Sequence, residues 1–171
     1  MLILGIDPGI ARVGFGVVDS SRAGAAMLAC GVIETPADMT LSERLSIIYD
    51  DVCSLIDAYK PDALAVEELF FNTNVKTGIS VAHGRGVVLL AGQRANVQVY
   101  EYTPLQVKQA VVGYGRADKN QVIEMVKRIL KLSESPKPDD AADAVAIALC
   151  HSRSCASLLF DVDRGNTCST I

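Results

Sequence analysis

Leu2-Ile3-Leu4-Gly5-Ile6-Asp7-Pro8-Gly9 opens the chain with a short apolar run that ends on a carboxylate and a Pro-Gly turn. A run of that length, rich in Ile and Leu, reads as a buried strand emerging at the edge of a sheet. Residues 13–19 and 27–33 read as two further strands, set apart by Pro8-Gly9 and by Ser20-Ser21-Arg22-Ala23-Gly24. Connections this short imply an antiparallel meander. Thr40-Leu41-Ser42-Glu43 then has the form of a helix capping box, and Leu41, Leu45, Ile48, Val52, Leu55 and Ile56 share one helical face up to Tyr59. Lys60-Pro61-Asp62 stops that helix, and Ala63-Leu64-Ala65-Val66-Glu67 follows as a fourth strand. Because a helical crossover leads to it, this strand should run parallel to its partner through a right-handed connection. If the partner is the first strand, Asp7 and Glu67 lie side by side at one sheet edge.

Residues 75–96 are apolar, with Gly78, Ala82, Gly84, Gly86, Ala91 and Gly92 spread among them. Glycine inside a helix costs about 0.5 to 1 kcal/mol relative to alanine, so this pattern predicts a helix whose backbone is closely approached, by the core or by a second subunit. Residues 97–102 form a fifth strand, and Thr103-Pro104 opens a helix with proline at the first helical position. A helix over 118–132 with Ile123, Val126, Ile129 and Leu130 as its apolar face, and a last helix over 139–151, complete the core. The expected architecture is α/β: a five-stranded mixed sheet, three antiparallel strands followed by two parallel ones, flanked by helices. Residues 152–171, rich in Ser, Cys, Asp and Arg, read as a poorly ordered tail beyond one domain spanning 1–151.

With 171 residues, half of them hydrophobic, the chain can bury one sizeable core. The N-terminus has neither the basic flank nor the cleavage site of a signal peptide. No apolar stretch approaches the roughly 20 residues that span a bilayer, so a cytoplasmic protein without a membrane partner is expected. Cys30, Cys53, Cys150, Cys155 and Cys168 are odd in number and scattered, which fits a reducing compartment better than a disulfide scaffold or a zinc site. From Lys76 to Lys131 there are nine Lys or Arg against three acids, a net +6; as the whole chain carries -4, the remainder carries -10. Such segregation lets a cationic surface meet phosphates beside an acidic pocket.

Four carboxylates stand out: Asp7, Glu67, Asp140 and Asp143. The last two lie three residues apart after Pro136 and Pro138, so a helix starting there presents both on one face. If that face meets Asp7 and Glu67, four hard oxygen donors converge, a set suited to Mg²⁺ or Mn²⁺. Two divalent ions about 3.5 to 4 Å apart clamp the attacking and leaving oxygens of a phosphodiester. Structural roles compete: Asp7 could be a turn former, and Asp139, Asp140 and Asp143 could favour a helix N-terminus electrostatically. Asp139 is assigned to the cap. Glu68, next to Glu67, alternates to the opposite strand face and is expected to be structural or solvated. His83 and His151 are read as structural.

These stretches together resemble the bacterial RuvC Holliday junction resolvases of the ribonuclease H-like superfamily. The resemblance is carried by Gly5-Ile6-Asp7-Pro8-Gly9, Val66-Glu67 with Phe70, Ala82-His83-Gly84-Arg85-Gly86, and Thr103-Pro104 through Lys108-Gln109-Ala110-Val111-Val112-Gly113. Gly115-Arg116-Ala117-Asp118-Lys119 and Asp140-Ala141-Ala142-Asp143-Ala144 complete it. It implies a ribonuclease H-like fold and a homodimer that nicks two opposed strands of four-way junction DNA symmetrically, leaving 5′-phosphate and 3′-hydroxyl ends. It also implies Mg²⁺ as cofactor, two ions per subunit with Mn²⁺ as a substitute, and work beside the RuvA and RuvB branch-migration proteins. By position, Asp7, Glu67, Asp140 and Asp143 become metal-binding catalytic acids. Lys108, Arg116 and Lys119 become DNA-binding cations, and Phe70 an aromatic that stacks on an unpaired base. Ala82 and Gly86 are candidates for the dimer interface. Two other readings stand beside this one. An actin-like ATP-binding protein also opens with strand, Asp, Gly and strand, but it needs two related domains; a catalytically inactive junction-binding module would be expected to have lost a carboxylate.

Overall fold

The computed structural model describes residues 1–21, 24–69 and 75–163, with side chains left undescribed at 75–77 and 156–163. Three antiparallel strands come first, β1 (Leu2–Asp7), β2 (Arg12–Ser21) and β3 (Gly24–Glu34). Helix α1 (Leu41–Tyr59) then crosses to β4 (Ala63–Glu67), and α2 (Val75–Arg94) to β5 (Gln98–Tyr102). Helices α3 (Pro104–Val112), α4 (Lys119–Ile129) and α5 (Asp139–Asp163) follow. The sheet order is β3-β2-β1-β4-β5, with β1 antiparallel to β2 and parallel to β4, and β4 parallel to β5. This is the mixed five-stranded sheet expected from the sequence.

Covered on both faces, β1 and β4 are apolar up to their terminal acids, and the pleat divides their side chains between two cores. Leu4, Ile6, Leu64 and Val66 face α1 and α2, packing with Ile48, Val52, Ile56, Val88 and Ala91. Ile3 and Ala65 face the other way, into a core with Val107, Val111, Val122, Val126 and the buried length of α5. Since side chains alternate along a strand, Asp7 and Glu67 fall on the α5 face, in step with Ile3 and Ala65.

Local chemistry sets the helix ends. Thr40 accepts from the backbone N–H of Glu43 while the Glu43 carboxylate accepts from the backbone N–H of Thr40, and Lys60 ends α1 in the left-handed conformation. Thr103 with Gln106 and Asp118 with Gln121 repeat the same box at α3 and α4. Some expectations are corrected. Leu41 is exposed at the first turn of α1, and the buried face of that helix begins at Ile48. On α4 it is Val122, with Val126 and Leu130, that is buried, while Ile123 is half-buried. Helix α5 does not end near His151 but runs to Asp163. Within it Ser154 donates its hydroxyl to the carbonyl of Cys150, one turn back, at 2.9 Å. The Arg153 guanidinium also ties this stretch to the carbonyl of Ala110 at the end of α3. No helix among the described residues is long and apolar enough to cross a membrane.

Candidate active site

Close contact between α5 and the sheet builds the site. A Cβ on Gly5 would stand 2.2 Å from the carbonyl oxygen of Ala144, and one on Gly14 would stand 2.0 Å from that of Asp140. These two positions exclude any side chain, so the helix backbone rests on the strands and its first turns reach the end of β1. As a result Asp7 of β1 and Asp140 and Asp143 of α5 each offer a carboxylate oxygen, all within 4.8 Å of one another. Oxygens around a hard divalent ion sit 2.0 to 2.6 Å from it and hence at most about 5 Å apart. The trio therefore fits such an ion. Glu67 stands on the neighbouring strand, one step past the Ile6–Val66 pair, beside this trio rather than within it.

The site is under electrostatic stress without a cation. Burial, followed by the charges of Glu67, Asp143 and Asp140, pushes the Asp7 carboxyl up to about 8. Burial and then Asp143 push Glu67 to about 7, against the opposing pull of the Lys108 ammonium. Burial also raises Asp143, although Lys119 counters it. Lys119 sits at the start of α4, its Nζ 3.0 Å from Asp143 and 3.5 Å from Asp139. Burial pulls the Lys119 ammonium down, but these carboxylates outweigh it and hold the group above its ordinary value. Carboxylates so crowded take protons or bind a cation.

Beside the acids opens a cleft of about 240 Å³, lined by Glu67, Asp143, Lys108 and Lys119, with Pro104, Val107, Val122 and Ala146 as its apolar wall. Acids and cations thus share one opening, an arrangement able to hold a phosphate group against a metal. Arg116 lies outside this lining, exposed on the segment leading to α4. Phe70 falls outside the described residues. Asp139 is not the cap of α5: the carbonyl of Pro138 accepts from Ala141 and Ala142, and Asp139 lies in the first turn, paired with Lys119. Glu68 donates its backbone N–H to the Tyr102 carbonyl, away from the acids.

The histidines part company. His151 is buried, its Nδ1 2.7 Å from the Tyr102 hydroxyl, whereas His83 is exposed on α2 and has no structural role in the core. The small residues of α2 also divide. Gly84 is closed in by the carbonyl of Gly9, so part of the glycine pattern serves packing within the chain, while Gly86 faces open space and Ala82 is half-buried. One further neighbour of the acids belongs to none of the sequence motifs. The Arg12 guanidinium lies 3.2 Å from Glu34 and 3.9 Å from Asp140. Strand alternation with Gly14 places it on the α5 face, and that alternation was the available signal.

Residues 3–151 match the family model described as crossover junction endodeoxyribonuclease RuvC. The chain is 54% identical over 154 residues to the protein of that name from Halothermothrix orenii, covering 90% of this chain and 93% of the relative. It is 57% identical over 151 residues to that of Finegoldia magna, covering 88% and 92%. Among solved structures it resembles Thermus thermophilus RuvC in complex with Holliday junction substrate, with a TM-score of 0.87, 40% identity, and 92% and 96% of the two chains covered. The yeast mitochondrial resolvase Ydc2 shares the fold at 15% identity and a TM-score of 0.70. This chain belongs to the RuvC family of crossover junction endodeoxyribonucleases.

Proposed function

We infer that this chain is a Holliday junction resolvase that nicks two opposed strands of four-way DNA symmetrically, leaving 5′-phosphate and 3′-hydroxyl ends. The observation that carries the reading is the convergence of Asp7, Asp140 and Asp143 within 4.8 Å beside a cleft lined by Lys108 and Lys119. The match to a RuvC described on a Holliday junction supports the substrate.

Asp7, Glu67, Asp140 and Asp143 are the residues that would hold Mg²⁺, two ions per subunit, with Mn²⁺ a substitute of the same hard-oxygen preference. When bound, these ions supply an activated water and charge neutralisation at the leaving 3′ oxygen. The residues of the chain do the positioning. Lys108 and Lys119 draw the scissile phosphate into the cleft, and Arg116 holds the strand farther out. Val107, Val122 and Ala146 keep the inner wall dry, which strengthens each charge interaction there. Phe70 stacks on an unpaired base at the junction, a contact worth about 1 to 3 kcal/mol and tolerant of sequence.

Paired cuts require two sites, and a two-fold homodimer supplies them economically. Ile79, His83, Gly86 and Leu90 are spaced along one face of α2; Ile79 and Leu90 are each 51% exposed, and Gly86 leaves room for close approach. This face, with Ala82 beside it, is the proposed interface. The enzyme works in the cytoplasm with RuvA and RuvB. The test is incubation of labelled four-way and linear DNA with Mg²⁺ or Ca²⁺. Paired nicking of the junction alone, in Mg²⁺ alone, is expected. Asp7→Asn, Glu67→Gln and Asp143→Asn should each abolish cleavage and retain junction binding, and near wild-type nicking by any of them would overturn the assignment.

A further inference from the structure

Glu67 has only the last residue of a short strand to stand on, and the chain beyond it leaves the sheet. Besides the bond from β5, whose Tyr102 carbonyl accepts from the backbone N–H of Glu68, that strand end is held by α2. The Arg85 Nε donates to the backbone carbonyl of Glu67 at 3.1 Å, and the same guanidinium pairs with the carboxylate of Glu101 on β5. The Arg85 side chain is 17% exposed and that of Glu101 44%, so the guanidinium is shielded while the acid's end of the pair is open to solvent. One residue earlier, Gly84 abuts the carbonyl of Gly9, in the turn that follows Asp7. Two consecutive residues of α2 therefore touch the chain at the ends of both carboxylate-bearing strands. The outer face of this helix carries Ile79, Gly86 and Leu90.

We propose that Arg85 is a positioning residue: by bridging the Glu67 carbonyl and Glu101, it sets where the Glu67 carboxylate stands relative to Asp7. The proposal rests on the reading of Glu67 as a metal-holding acid. A planar guanidinium can donate to a carbonyl and a carboxylate at once in a fixed fork, which fixes both direction and distance. Residues that orient the ligands of a metal commonly change affinity or activity by about 10- to 100-fold when removed. A surface arginine contacting DNA would behave otherwise, weakening junction binding and its salt dependence.

The experiment compares wild type, Arg85→Met, Glu101→Ala and Glu67→Gln. Mn²⁺ binding is followed by the electron paramagnetic resonance of free Mn²⁺ without DNA, junction affinity is measured in Ca²⁺, and single-turnover cleavage in Mg²⁺. Arg85→Met keeps the aliphatic stem and removes the fork. It should weaken Mn²⁺ binding and slow cleavage by about 10-fold or more, with junction affinity within about 2-fold of wild type. Glu101→Ala should shift both in the same direction, but less. Wild-type Mn²⁺ affinity and cleavage in Arg85→Met overturn the proposal, as does lost junction affinity with Mn²⁺ binding unchanged. If Arg85→Met does not fold, unchanged Mn²⁺ affinity and cleavage in Glu101→Ala overturn it instead. Nicking retained by Glu67→Gln would sink the reading of Glu67 itself, a separate failure.

Discussion

Replacing Asp7 with asparagine should stabilise the metal-free protein even as it destroys the site. In the unfolded chain this carboxyl ionises near 3.8, and in the folded protein burial and the charges of Glu67, Asp143 and Asp140 carry it to about 8. Between those pH values the folded state keeps a proton that the unfolded state has lost, so stability falls as pH rises through the window. The contribution is fully present below about pH 4 and lost by about pH 8. At roughly 1.36 kcal/mol per unit, the 3 or so units accrued by pH 7 come to about 4 kcal/mol. Relaxation and water entering an open cleft reduce this to about 2 kcal/mol, or about 4 to 8 °C in Tm for a domain of this size. Asparagine keeps the shape and carries no charge. Thermal melts in EDTA should therefore show Asp7→Asn more stable by that amount near pH 7 and indistinguishable near pH 4. Adding Mg²⁺ should raise the wild type more than the variant, because binding to the folded state is stabilising. A variant no more stable than wild type at neutral pH in EDTA would refute the reasoning, as would wild-type stability that stays flat or rises from about pH 5 to 8.

Other changes separate the parts of the site. Lys119→Ala should slow cleavage and reduce the salt dependence of junction binding by about 0.9 in slope, the value of one phosphate contact on duplex DNA; an unchanged rate and slope would remove Lys119 from the DNA path. Gly14→Ala would drive a Cβ to 2.0 Å from the Asp140 carbonyl, so urea unfolding should show a loss of about 1 to 3 kcal/mol, with cleavage impaired as Asp140 moves. Leu90→Asp, on the exposed face of α2, should give a folded monomer by sedimentation that binds junctions but fails to make paired cuts; a dimer that persists would move the interface elsewhere.

Much of this architecture is written locally. The apolar runs ending at Asp7 and Glu67, the Pro8-Gly9 turn, and the Thr40–Glu43 box each specify their element through neighbours a few residues away, and the meander and crossover follow from connection length. The four acids are conspicuous locally as well: Asp7 and Glu67 each end an apolar run, and Asp140 and Asp143 are three residues apart at the start of a helix, on one face. Packing between distant elements decided the rest. Val122 rather than Ile123 is buried because α4 is rotated to fit α5, a choice that periodicity alone does not make. Helix α5 continues past His151, and there Arg153 reaches the carbonyl of Ala110 on α3, a partner 43 residues away that no local pattern marks. Gly5 and Gly14 admit the backbone of α5, and this contact, not any motif spacing, brings Asp140 and Asp143 to Asp7 while leaving Glu67 just outside the trio. Arg12 and Arg85 acquire their partners the same way, across long sequence separations. A single sequence carries the chemistry of each residue and the period of each element; the distances between elements arise only when two cores pack against one sheet.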